Sequence, residues 1–372
     1  PRCRITINFS QYQSMSSADY KKELEGYLDA VIVNDATDLH ITSERPPILR
    51  IDGSLKVLEG AETLTSEHAK DLAMGLLGEE QKEKFWADKD IDLSITYKNK
   101  ARFRINIYQQ NNNVSAAFRF IPAKVRTIEE LNLPPILHRF TQMSQGFFLV
   151  VGPSGHGKST ALAALIDEIN HTRQDHIITI EDPIEYVFPQ DKCIVDQREV
   201  GLDVQDFHRG LRAMFREDAD VVMIGEMRDP ETISTAITAA ETGHLIFSTL
   251  HTNTAAQTID RIIDSFPPHQ QGQIRMQLAS TLLGVLSRRL IPATKGGMIN
   301  AIELLIGNAA VRNLIREGKT HQIDMVIETH LEEGMISLNR SLADLVERGL
   351  ISYENAELYS TNPHELKMIL QR

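Results

Sequence analysis

Cysteine is nearly missing from this chain: Cys3 and Cys193 are the only two in 372 residues. Two cysteines so far apart exclude a disulfide framework and a Cys-x-x-Cys metal site, and they point to a reducing, cytoplasmic setting. Long apolar runs are also missing. None approaches the roughly 20 residues that a membrane-spanning helix requires, and no signal-peptide pattern is seen. Membrane insertion is therefore not expected, and any membrane association goes through a partner. Positive charge is in deficit as well, with 51 Asp and Glu against 39 Lys and Arg, a formal net charge of −12. That balance argues against broad binding to nucleic acid or to anionic lipid and leaves room only for a local basic patch. Internal repeats and low-complexity tracts are absent.

The length suggests about two domains. The chain opens with Pro1 rather than Met, and its helical pattern starts only after Met15, so residues 1–14 read as an extension outside the fold. Tyr20, Leu24, Tyr27, Leu28 and Val31 then recur at helical spacing, with Ser16 and Ser17 available as caps. Short strand signals follow at Asp38 to Ile41 and Ile48 to Ile51, then an Asp52-Gly53 hairpin turn leads into Leu55 and Val57. A helix is expected over Ser66 to Trp86, and three alternating runs cover Ile91 to Tyr97, Phe103 to Ile107 and Val114 to Ile121. Residues 15–122 thus predict a small α+β domain with an antiparallel sheet. A proline-bearing linker is expected over 123–135. From 136 the pattern becomes α/β, with apolar strands at Phe147 to Val151, Ile177 to Ile180, Val221 to Ile224 and Leu245 to Phe247 and helices between them. From about Pro268 the strand signal fades, and the remainder reads as predominantly helical.

One stretch carries the chemistry most plainly. Gly152, Pro153, Ser154, Gly155, His156, Gly157, Lys158 and Ser159 form a complete phosphate-binding loop between an apolar strand and a helix that continues through Thr160. The glycines let consecutive backbone N–H groups converge on phosphate oxygens, Lys158 supplies a point charge to the β- and γ-phosphates, and the Ser159 hydroxyl suits Mg²⁺. This pattern predicts a site for a nucleoside triphosphate. The ends of the later strands deliver Glu181-Asp182-Pro183-Ile184-Glu185 and Gly225-Glu226-Met227-Arg228-Asp229, while His244 and His251 flank another strand. Ligands of open α/β sheets bind at the carboxyl ends of the strands, so these groups are expected to converge on the loop. Two carboxylates there favour hydrolysis over simple binding.

Those same residues resemble the secretion and pilus motor ATPases. Thr179 to Glu185 resembles their aspartate box, Thr242 to Thr252 their histidine box, and Ile224 to Asp229 their atypical Walker B, along a similarity running from about Met15 to the C-terminus. Ala310 to Glu317 resembles the C-terminal signature of the PilT-like retraction ATPases of type IV pili, with Val311 where that signature has Ile. The resemblance implies a PAS-like α+β N-terminal domain and a RecA-like P-loop ATPase domain over 136–372, helical at its C-terminal end. It implies ATP and Mg²⁺, a cytoplasmic homohexamer held peripherally at the inner membrane through the platform protein of the pilus machine, and a second retraction ATPase as a further partner. The family task is pilin depolymerisation, which powers twitching motility and often DNA uptake, without direct contact of the motor to nucleic acid.

Two positions depart from common patterns. Gly225 stands where many P-loop enzymes place a metal-organising Asp, so Mg²⁺ is expected to depend on Ser159, nucleotide oxygens and water. His156 stands where these motors commonly carry a small residue, and its side chain is expected to point to solvent. By resemblance Glu181 is the candidate general base and Glu226 organises the metal side, with the reverse assignment open. Arg104 and Arg119 are candidates to act in trans at a subunit interface, against a reading of Arg102, Arg104 and Arg119 as a solvated sheet face. His244 and His251 are candidates for sensing nucleotide near the phosphates, against a structural role. In the signature helix Asn308 is an N-cap, Val311, Leu314 and Ile315 form an apolar face, Gly318 terminates it, and Arg312 and Arg316 are candidates for transmitting motion. Alternatives are a PilU-type accessory retraction ATPase, a DNA-translocating RecA-like motor and a nonenzymatic nucleotide-gated adaptor. An extension or secretion ATPase is disfavoured by the missing four-Cys zinc insert and longer N-terminal region.

Overall fold

The computed structural model describes residues 17–51, 53–98, 101–122 and 124–371. The expected extension at 1–14, the cap at Ser16 and the turn residue Asp52 lie outside the described residues. The chain divides into two compact units, one ending at Lys124 and the other starting at Val125.

The first unit contains α1 (Ser17–Val33), β1 (Asp38–Ile41), β2 (Ile48–Ile51), β3 (Ser54–Val57), α2 (Ser66–Met74), α3 (Glu79–Asp88), β4 (Asp90–Tyr97), β5 (Ala101–Gln110) and β6 (Asn113–Pro122). Its strands pair antiparallel in the order β3-β2-β1-β6-β5-β4. Alternation along β5 sends Ala101, Phe103, Ile105 and Ile107 into a core shared with Leu39, Phe118 and, from α1, Tyr27, Leu28 and Val31. The single helix expected over Ser66 to Trp86 is two helices. Gly75 ends α2 and Gly78 precedes α3, because glycine weakens a helix interior and suits its ends.

The second unit contains α4 (Leu137–Thr141), β7 (Gly146–Val151), α5 (Lys158–Thr172), β8 (His176–Glu181), β9 (Ile194–Glu199), α6 (Phe207–Met214), β10 (Val221–Ile224), α7 (Pro230–Glu241), β11 (Leu245–Leu250), α8 (Ala255–Asp264), α9 (Pro268–Thr281), β12 (Leu282–Pro292), β13 (Met298–Ile306), α10 (Ala309–Glu317), α11 (Ile323–Thr329), α12 (Leu338–Glu347), α13 (Tyr353–Tyr359) and α14 (Pro363–Leu370). The seven strands run β13-β12-β7-β11-β10-β8-β9. All neighbours are parallel except β12 and β13. β7, β10 and β11 are buried along their whole length, as expected for central strands covered on both faces.

One expectation is corrected and another refined. The segment 123–135, read as a linker, places Val125, Ile128, Leu131 and Leu133 in the core of the second unit. The region after Pro268 is predominantly helical, as read, but the strand signal does not end there: after α9 the sheet gains two long strands, β12 and β13, before the helices resume. The start of β12, Leu282 to Leu286, is an unbroken apolar run, and periodicity does not separate a fully buried strand from a buried helix. Among the described residues no helix is long and apolar enough to cross a membrane.

Candidate nucleotide-hydrolysis site

β7 ends at Val151 and α5 begins at Lys158, so the loop between them closes on a helix N-terminus. Gly152, Gly155 and Gly157 all hold positive φ, at 142°, 78° and 77°, which side-chain-bearing residues rarely adopt. Gly157 is the N-cap of α5 and no side chain caps it. The first-turn N–H groups, which have no intrahelical acceptor, are thereby left for an anion. Lys158 is buried, and its Nζ donates to the carbonyls of Gly152 at 2.9 Å and Pro153 at 3.0 Å and lies 3.4 Å from Nδ1 of His251. Burial lowers its pKa, while Glu226 and Glu185 act in the opposite sense. Ser159 and Thr160 are half-buried in the first turn, and the Thr160 hydroxyl lies 3.1 Å from that of Tyr186.

His156 does not point to solvent. Its half-buried ring accepts the Leu290 N–H at Nδ1 over 2.9 Å. Burial first, then the charges of Lys158, Arg289 and Arg288, lower its pKa and keep it a neutral acceptor. The unexpected strand β12 supplies the donor.

Parallel pairing brings the carboxylates to the same sheet edge as the loop, with Glu181 ending β8, Glu226 just past β10 and His251 just past β11. Glu181 is buried. Its Oε1 accepts from the Thr179 hydroxyl at 2.7 Å and the Gln197 amide at 3.2 Å, and its Oε2 from the Glu185 N–H at 3.3 Å. Burial outweighs these bonds and raises its pKa to about 7. Glu226 pairs with the Arg228 guanidinium and lies 3.3 Å from Nε2 of His251. Lys158, His251, Glu226 and Arg228 thus form one polar chain along the edge. Arg228 was part of the motif read from sequence, but its pairing with Glu226 was not legible there.

His244 is placed elsewhere. It precedes β11 and His251 follows it, so about 20 Å of extended strand separates them and puts His244 at the sheet edge away from the loop. Its Nδ1 donates to the Ala239 carbonyl at 3.0 Å, and Phe215 packs edge-on against the ring at 5.5 Å.

In the first unit, register places Arg104 directly opposite Arg119, Arg119 opposite Asp38, and Asp38 opposite Arg50. These residues form a transverse row on one face of the sheet. Arg119 donates to Asp38 at 3.0 Å and Arg50 lies 3.8 Å from the same carboxylate. Arg102, on the same face, donates to the hydroxyls of Ser94 and Thr96. Opposed like charges are unfavourable across strands, and Asp38 offsets part of that cost by pairing with Arg119 and Arg50.

In α10, Asn308 caps the helix by accepting the Val311 N–H at 3.0 Å, Val311 and Ile315 are buried, and Gly318 closes it with φ 70°. The two signature arginines differ: Arg312 donates to the Gly307 carbonyl at 2.9 Å, whereas Arg316 is exposed.

The loop, the carboxylates at the strand ends and the mixed parallel sheet define a P-loop ATPase. The family model for the Type II/IV secretion system protein matches residues 14–348, and the chain belongs to that family. It is 44% identical over 321 residues to the type IV pilus retraction ATPase PilT of Pseudomonas aeruginosa, covering 86% of this chain and 93% of that protein. It is 36% identical over 351 residues to the type IV pilus ATPase PilU of the same organism, covering 94% and 91%. A crystal structure of the pilus retraction motor PilT with bound ADP matches with a TM-score of 0.85 and 44% identity, covering 93% of this chain and 99% of that one.

Proposed function

We propose that the chain is an ATP-hydrolysing homohexameric motor that powers type IV pilus retraction, withdrawing pilin subunits and driving twitching motility, with DNA uptake as a further use. The observation that carries this reading is the near full-length similarity to a retraction ATPase, joined to a phosphate loop whose geometry fits a nucleotide. The motor works at the cytoplasmic face of the inner membrane through the pilus platform protein, beside a second retraction ATPase.

In this reading the first-turn N–H groups of α5 and Lys158 hold the phosphates, with Lys158 leaving the loop carbonyls it now bonds. Mg²⁺ offsets phosphate charge when bound. Ser159, half-buried in the first turn of α5, is the side chain that would hold the ion, through a hydroxyl oxygen of the kind Mg²⁺ takes. Glu181, poised near neutrality by burial, takes the proton of the attacking water. Glu226 orients the metal side, and its contact with His251 couples it to Lys158. Arg104 and Arg119 supply positive charge to the nucleotide of a neighbouring subunit.

Deletion in the native host, scoring pilus number and movement together, tests the proposal. Many pili without movement are expected, restored by the wild-type gene and not by Lys158→Ala. Unchanged movement would refute a primary retraction role. The likeness to PilU favours one second reading, an accessory motor, in which movement fails only when the partner retraction ATPase is weakened.

A further inference from the structure

Arg288 on β12 is only 2% exposed. Its Nη1 donates to the Gly157 carbonyl, and its Nη2 donates to Oδ1 of Asn300 at 2.5 Å. The Asn300 amide is fixed in turn by the Leu131 carbonyl at 2.7 Å. Nε is buried with no partner. Every acceptor is neutral, and among the described residues no carboxylate pairs with this guanidinium; the leading charge acting on it is another cation, Arg126. Burial lowers its pKa to about 10, which leaves it protonated at neutral pH. A buried cation without a counter-charge is costly to a fold, and its placement calls for a reason.

The side chain lies directly beneath the phosphate loop. A Cβ added at Gly157 would meet Nη1 at 3.1 Å, and one at Gly152 would meet the Arg288 carbonyl oxygen at 2.4 Å, so β12 backs both ends of the loop. The Gly157 carbonyl shares a planar trans peptide with the Lys158 N–H, the first of α5. Holding that oxygen on the inner side turns the N–H outward, to the side where an anion would lie.

We propose that Arg288 is a positioning residue for the nucleotide phosphates: it fixes the peptide plane between Gly157 and Lys158, and its buried charge gains a counter-charge only when phosphate enters the loop. This rests on the nucleotide-binding reading of the loop above.

The test uses the purified full chain with Arg288→Met, Arg288→Gln and Arg288→Lys, measuring ADP affinity by calorimetry and the melting temperature without nucleotide. Arg288→Met and Arg288→Gln are expected to bind ADP about tenfold more weakly or worse. Their nucleotide-free melting temperatures should equal or exceed wild type, because an unpaired buried charge has been removed. Arg288→Lys keeps the charge and should recover much of the affinity. Affinity within about twofold of wild type in the uncharged variants would overturn the proposal. So would a fall in melting temperature alongside the affinity, a failure of both uncharged variants to fold, or a Lys variant no better than Met. A wild-type chain that does not bind ADP would instead overturn the nucleotide reading itself, and this inference with it.

Discussion

Arg104 and Arg119 face each other across β5 and β6, and the acid in their row, Asp38, is bonded to Arg119. The two guanidiniums lie directly opposite one another, an arrangement that an anion from outside the sheet would relieve. If that anion is a neighbour's nucleotide, Arg104→Ala and Lys158→Ala will each be inactive alone, each losing at least about tenfold in hydrolysis. Mixing the two should restore part of the activity, because some interfaces then join an intact arginine to an intact loop. Subunit exchange followed with two fluorescent labels provides the control. No recovery despite exchange would return the row to a solvated face.

Glu181 and Glu226 differ in setting, and this separates their roles. Burial raises the Glu181 carboxyl to about 7, so a base at this position is protonated and ineffective below neutrality and becomes active as pH rises through 7. Single-turnover hydrolysis should show that rising limb. Glu181→Gln should abolish it and slow the chemical step about a hundredfold or more with ADP affinity nearly kept. Glu226→Gln should retain the limb at a lower rate. If the limb disappears in Glu226→Gln and survives in Glu181→Gln, the two roles are exchanged.

Much of this site was legible in the sequence because it lies in contiguous motifs. The loop from Gly152 to Ser159 dictates its own geometry, and the carboxylates Glu181 and Glu226 follow apolar runs whose parallel order sends their ends to one edge. The antiparallel first unit was legible for a similar reason, since β5 alternates strictly. What escaped were contacts made by β12. Its apolar start reads equally as helix, so neither Arg288 beneath Gly157 nor the Leu290 N–H on His156 is legible there, and the sequence alone leaves His156 facing solvent. His244 was misplaced for a simpler cause. Residues bracketing a strand of 6 residues are close in sequence and lie at opposite edges of the sheet.

Glu303 on β13 is buried and accepts the Ala255 N–H at the start of α8, at 2.7 Å. Burial raises its pKa from 4.5 to about 7. The unfolded chain therefore releases this proton first as pH rises. The stability contributed by the neutral carboxyl is fully present below about 4.5 and lost as pH rises through 7. Glu303→Gln keeps an acceptor for the helix N–H and cannot ionise. Its stability relative to wild type should therefore improve by roughly 1–3 kcal/mol between pH 5 and pH 8, measured by urea unfolding at both values. Glu181 titrates in the same window, so the comparison is made against Glu303→Gln alone and in a Glu181→Gln background. A difference that does not change with pH would show that Glu303 is ionised in the folded chain throughout.

The signature helix α10 carries its two arginines on different duties. Arg312 is tied to the Gly307 carbonyl just before the helix, at 2.9 Å, whereas Arg316 extends into solvent from the last turn. A side chain bound to its own helix start holds structure, and an exposed one near the helix C-terminus is free to meet a partner. Arg316→Ala should therefore leave hydrolysis within about twofold of wild type, the usual scale for an exposed substitution, while reducing pilus retraction in cells. Arg312→Ala should lower the melting temperature of the purified chain, because the Gly307 carbonyl loses its donor, with stability falling by about 1 kcal/mol. Retraction measured by optical tweezers and hydrolysis measured on the same variants distinguish coupling from stability. Normal retraction by Arg316→Ala would remove this helix from force transmission, and loss of hydrolysis in step with retraction would place Arg316 in the structure of the motor itself.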